Sequence, residues 1–128
     1  MKILESQLDE ASLTSLAMRA SELLLAKNFT ALAREFGYAV AYDREPAKAI
    51  MEDYDRRVLE CAELKGDGLA KSHEIWVNYF KPNSTGFLAA VECQLPVNNT
   101  ACLFFSLVAG LNRNGDHYLY LESISSMA

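Results

Sequence analysis

The sequence predicts a single α+β domain over residues 1–128: three amino-terminal helices, with one short strand between the second and the third, packed on a curved antiparallel sheet that four carboxy-terminal strands complete. Three observations carry this. The 128-residue chain has one domain's length and is 51% apolar, enough to build a core and too much for a disordered segment. Its first half repeats Ala and Leu at three- and four-residue intervals, whereas its second half alternates aromatic and β-branched residues in short runs. Clusters of Asn, Pro and Gly of hairpin length separate those runs.

From about Leu8 to Lys27, the residues Leu13, Leu16, Ala17, Ala20, Leu23 and Leu24 fall on one stripe of a helix. Asn28 is a good N-cap for a short second helix whose Phe29, Leu32, Ala33 and Phe36 share a face, and Gly37 supplies its stop. Tyr38 to Tyr42 alternates large and small side chains without a breaker and reads as a short strand. Pro46 belongs in the first turn of a third helix, roughly 45 to 64, with Ile50, Met51, Tyr54, Val58, Leu59 and Ala62 on its apolar face. Its opposite face carries two acid-first pairs, Glu52 with Arg56 and Asp53 with Arg57, expected as solvated surface. Lys65 to Gly68 should end this helix. Ser72 to Phe80, Gly86 to Leu95, Thr100 to Ala109 and His117 to Ile124 then form an antiparallel meander, because their connections are too short for crossovers.

Twelve basic against seventeen acidic residues give a net charge of −5, and the bases are interleaved with acids, so neither nucleic acid nor a membrane surface is an expected partner. The first ten residues lack the apolar stretch of a secretory signal. Ala101 to Leu111, broken by Ser106, is well short of the ~20 residues that span a bilayer. Cys61, Cys93 and Cys102 form no CxxC pair and sit among apolar neighbours, as reduced thiols of a cytoplasmic protein do. No GxGxxG, P-loop, HExxH or GxSxG motif is present, and the two histidines and three thiols lack ligand spacing. Neither a cofactor nor a metal is therefore expected.

The order helix, helix, strand, helix, four strands, and the stretch Leu24-Leu25-Ala26-Lys27-Asn28-Phe29 through Ala31-Leu32 to Tyr38–Tyr42, resembles the nuclear transport factor 2-like superfamily, also called the cystatin-like cone. The resemblance is one of architecture and length. It implies a sheet curved around a long helix, with a pocket between them. It does not imply one function, since the superfamily includes isomerases, dehydratases, cyclases, epoxide hydrolases and members that only bind or dimerise.

Successive strand residues point to opposite faces of a sheet. The odd positions from Ile75 to Leu121 are almost uniformly apolar and should lie under the helices, with Tyr42, Tyr54, Tyr79, Val91, Cys93 and Phe105 as candidate pocket lining. The even positions include Trp76, Phe80, Phe104, Tyr118 and Tyr120, too much apolar surface to leave wet. They are the candidate interface of a homodimer.

Asp43 follows the expected first strand and precedes the Pro46 helix. In the superfamily's ketosteroid-isomerase branch a general base occupies a similar place, so the resemblance implies Asp43 as a base; cyclase- and dehydratase-like members rely on His with Asp or Tyr, which implies His73 or a pocket Tyr as its partner. The residues themselves favour Asp43 as an N-cap or first-turn acid of the third helix. Missing from this chain are the first-helix Tyr and the late-strand Asp of that branch, and the late strands lack the Arg of the epoxide-hydrolase set. The expected function is thus binding of a small apolar ligand or a peptide by a cytoplasmic homodimer. The alternatives are a cofactor-free isomerase, dehydratase or cyclase, and an adaptor or immunity-type protein using the aromatic sheet face.

Overall fold

The computed structural model describes residues 1–63, 72–98 and 102–126. After a two-residue strand, β1 (Lys2–Ile3), the side chain of Asp9 accepts the Ser12 amide at 3.1 Å and opens helix α1 (Glu10–Leu25). Its stripe of Leu13, Ala17, Ala20, Leu23 and Leu24 is buried, as the spacing predicts. The helix closes when the Lys27 and Asn28 amides turn back to the Leu24 and Leu23 carbonyls at 3.0 and 2.8 Å, with Lys27 at a positive φ of 55°. The Asn28 side chain then caps α2 (Phe29–Phe36) by accepting the Ala31 amide at 3.3 Å, and Gly37 ends it at a φ of 72°. Only glycine adopts that angle without a Cβ penalty.

The next segment departs from expectation. Tyr38–Tyr42 is not a strand; Ala39–Ala41 form a 3-10 turn. The carbonyls of Val40 and Ala41, which a strand would offer to a neighbouring strand, accept instead from the Arg44 guanidinium at 2.9 and 3.2 Å. The fifth strand of the sheet is β1, too short for periodicity to reveal.

Helix α3 (Pro46–Glu63) starts at Glu45, whose carboxylate accepts the Ala47 and Lys48 amides at 3.2 and 2.9 Å. Its buried stripe is Ala49, Ile50, Asp53, Tyr54 and Cys61, while Met51 and Leu59 are exposed. The helix is therefore rotated by about one residue, ~100°, from the orientation its apolar residues suggest. Asp53 and Arg57 are accordingly no surface pair. Asp53 is buried, and Arg57 donates to Glu60 and to the Ile124 carbonyl. The expected stop at Lys65 to Gly68 and the expected strand start at Thr100 lie outside the described residues.

The four later strands, β2 (Glu74–Tyr79), β3 (Phe87–Pro96), β4 (Cys102–Leu111) and β5 (His117–Ser125), form the expected antiparallel meander, and β1 adds to β5. The order β1-β5-β4-β3-β2 leaves an open sheet. Helix α1 lies over β2 and β3 and α3 over β4 and β5, with α2 between the other helices and β5. Ala89, Val91, Cys93, Leu95, Leu103, Phe105, Leu107, Ala109, Leu119 and Leu121 are all buried beneath them.

Two bulges alter the faces. Leu88 is an extra residue between the pairs Phe87–Gly110 and Ala89–Ala109, so Phe87, expected under the helices, lies on the other face against Gly110. Glu122 is the extra residue between the pairs Leu107–Leu121 and Ser106–Ser123, which turns Ile124 inward and buries it.

Leu24 and Phe36 retain no more than 1% of their surface. Leu24→Ala and Phe36→Ala should each cost ~2–5 kcal/mol in urea unfolding. Losses below ~0.5 kcal/mol, the scale of surface changes, would contradict this packing.

Candidate functional site

A carboxylate on the buried stripe of a helix must be paired, hydrogen-bonded or protonated. Asp53, 6% exposed, is both paired and hydrogen-bonded. Its Oδ1 accepts from Arg44 Nη1 at 2.9 Å, and its Oδ2 from Arg44 Nη2 at 3.2 Å and from the Tyr38 hydroxyl at 2.5 Å. Burial alone would raise the Asp53 carboxyl, but the Arg44 and Tyr38 hydrogen bonds and the Arg44 charge together outweigh it and hold the group below the usual aspartate range. Burial, with the neighbouring carboxylate, pushes the Tyr38 phenol above its ordinary value, so Tyr38 remains a proton donor. With both oxygens engaged, Asp53 is a tether and not a free base. It fixes the 38–44 turn to α3.

Above this tether lies a cleft of about 510 Å³ whose lining includes Tyr42, Arg44, Arg56, Arg57 and Ser123. Sequence reasoning missed it because Asp53 and Arg57 form an i, i+4 pair that reads as surface. The signal was available: Ala49, Ile50, Asp53 and Arg57 share one helical stripe at three- and four-residue spacing.

The residues expected to carry chemistry are not brought together. Asp43 is exposed in the turn before α3, where Glu45 does the capping. His73 is exposed at the head of β2, in a 3.0 Å contact with the Ser21 hydroxyl that joins β2 to α1. Tyr79, 55% exposed, donates to the Leu8 carbonyl at 2.7 Å at the sheet's edge. Tyr42, 84% exposed, lines the cleft above Asp53. Tyr54, Val91, Cys93 and Phe105 are core residues that retain almost no accessible surface, and of them Cys93 and Phe105 border a depression of about 120 Å³. Burial pushes the Cys93 thiol up to about 12, which removes it as a nucleophile.

The opposite sheet face carries the other cluster. Trp76 is 43% and Phe80 44% exposed, Phe104, Tyr118 and Tyr120 are half-buried, and Phe87 joins them through the Leu88 bulge. Glu92 and Glu122 flank Ser106 near its middle, Glu122 accepting the Ser106 hydroxyl at 3.2 Å. A depression of about 120 Å³ on this face is lined by Glu92, Phe104, Ser106, Ser123 and Ser125 and also by Cys93 and Phe105, and an apolar one of about 380 Å³ runs from Phe87, Gly110, Tyr118 and Tyr120 to Met1 and to Phe36 of α2. No helix among the described residues is long and apolar enough to cross a membrane.

Because the folded pKa of Asp53 is depressed, its contribution to stability is complete above the ~3.9 of an unfolded aspartate and is lost as pH falls through the folded value. Asp53→Asn should therefore be less stable than the parent at neutral pH, by about 2–3 kcal/mol given that Arg44 is partly solvated. The gap should narrow below about pH 4. A gap that stays constant from pH 7 to pH 3 in urea titrations would contradict the ionised tether. No family model matches the chain, and no curated protein or solved structure matches it either.

Proposed function

We propose that the protein is an interaction protein that pairs with a second copy of itself through its open sheet face. The observation that carries this reading is the row of aromatic side chains from Trp76 to Tyr120 on the face opposite the helices. Aromatic residues on a surface of this extent mark interfaces, and symmetric pairing is the commonest way to cover one.

The area is adequate. Strands of nine and ten residues over β3 to β5, with the shorter β2, give a footprint of roughly 550 Å² per copy at ~3.3 Å per residue and ~4.8 Å between strands. Two copies then bury roughly 1,100 Å², just above the ~1,000 Å² that a biological interface must clear. Two such faces would stack as aligned sheets ~10 Å apart.

The packed core supports interaction over ligand capture in the interior, because Val91, Cys93 and Phe105 beneath the helices retain no more than 3% of their surface. The cone-like arrangement and its resemblance to nuclear transport factor 2-like proteins belong to this same proposal. So does the cytoplasm, which suits three buried free thiols. Turnover has no part in it, since Asp43 and His73 stand apart on different elements.

Trp76 is the chain's one tryptophan, so its emission reports this face directly. The purified chain should sediment as a dimer at micromolar concentration, with Trp76 emission shifting to the red on dilution. Phe104→Glu should give a folded monomer, because pairing would desolvate its charge. Glu92→Gln should tighten the pair by removing like charges that two copies bring together. A monomer at tens of micromolar, with Trp76 emission independent of concentration, would overturn the proposal.

A further inference from the structure

Arginines in the cleft above Asp53 differ in how fully the chain uses them. Arg44 is committed: its three nitrogens serve Ala41, Val40 and both oxygens of Asp53. Arg57 is half committed, donating from Nε to the Ile124 carbonyl at 3.3 Å and from Nη1 to Glu60 at 2.5 Å, while its Nη2 has no partner among the described residues. Glu60 is itself occupied, accepting the Ser126 hydroxyl at 2.9 Å. Arg56 is exposed and makes no hydrogen bond or ion pair among the described residues, although it lines the cleft. In a chain of net charge −5, the lining thus gathers three guanidinium groups around one carboxylate.

The mouth of this cleft holds a second, independent feature. Tyr42 is 84% exposed and adopts φ 56° and ψ −119°, a conformation that strains a residue with a Cβ. Neither burial nor pairing of its ring explains why the chain holds it there. The turn that imposes it is fixed by Tyr38, Arg44 and Asp53, so the ring stands on a rigid support beside the unused arginine donors.

From this juxtaposition we infer that the cleft binds a small organic oxyanion that carries a planar ring, its carboxylate or phosphate on Arg56 and Arg57 and its ring against Tyr42. Guanidinium groups hold either oxyanion through paired N–H donors. An exposed tyrosine ring offers the stacking surface. The cleft's volume, about 510 Å³, lies within the range of sites for such molecules. The site adjoins the aromatic sheet face at Ser123 but draws its arginines and its ring from α3 and the 38–44 turn, so it stands whether or not that face pairs.

Chemical-shift titrations of the isotope-labelled full chain at constant ionic strength test this, with benzoate, phenyl phosphate, inorganic phosphate and benzyl alcohol as probes. Benzoate or phenyl phosphate should move the amides of residues 40–44 and 123–124 saturably, and the tighter of the two identifies the oxyanion. Inorganic phosphate should bind more weakly for want of a ring, and benzyl alcohol should not bind for want of a charge. Arg56→Gln, at an exposed position, should weaken the ring oxyanion at least tenfold, and Tyr42→Ala should reduce it to the level of inorganic phosphate. Shifts that fail to saturate, or a dissociation constant that Arg56→Gln changes less than twofold, would overturn the site. Equal binding of phenyl phosphate and inorganic phosphate would overturn the role of the ring.

Discussion

A carboxylate among buried residues constrains everything packed around it. Asp53 sits on the stripe of α3 that also carries Ala49, Ile50 and Cys61, and it stays ionised there because Arg44 and Tyr38 reach it. Both partners come from the short segment between α2 and α3. Meeting this requirement folds that segment into a turn, consumes the Val40 and Ala41 carbonyls, and removes it from the sheet. The same turn leaves Tyr42 standing out and places Arg56 and Arg57 beside the resulting cleft. Tether and cleft are thus two sides of one local solution.

The sheet follows a different logic. Apart from Phe105, the buried side chains beneath the helices from Ala89 to Leu121 are small or aliphatic. Because the helices cover this face, the aromatic residues of the other lie toward solvent. The bulges at Leu88 and Glu122 adjust that division locally, moving Phe87 out and Ile124 in. An open sheet with one packed and one aromatic face is the feature on which the proposed pairing rests. The cleft, edged by Ser123 and Ile124 at the end of β5, is where a small molecule would meet the same scaffold.

Much of this was legible in the sequence where a pattern is local. Leu13 to Leu24, the Asn28 cap, the Gly37 stop and the hairpin punctuation around Asn83 and Asn112 each depend on neighbours within a few residues. Strand alternation correctly separated Trp76 and Phe104 from Val91 and Leu107. What failed depended on partners distant in sequence. Tyr38 to Tyr42 has the alternation of a strand, and only the Arg44 and Asp53 contacts make it a turn. Asp53 with Arg57 has the spacing of a surface pair, and only the rotation of α3 shows otherwise. Phe87 follows the odd-position rule until a bulge inserts Leu88. Asp43 drew attention by its place after a supposed strand and lost that significance when the strand became a turn.

The dependence of the turn on the buried carboxylate is tested most directly by a double-mutant cycle. Arg44→Gln, Asp53→Asn and the pair together, compared with the parent by urea unfolding at pH 7, isolate the coupling between the two groups. A coupling of about 1.5 kcal/mol or more is predicted, with the double variant losing much less than the sum of the single losses. Single losses that add to within about 0.3 kcal/mol would contradict the tether and the turn it is held to organise.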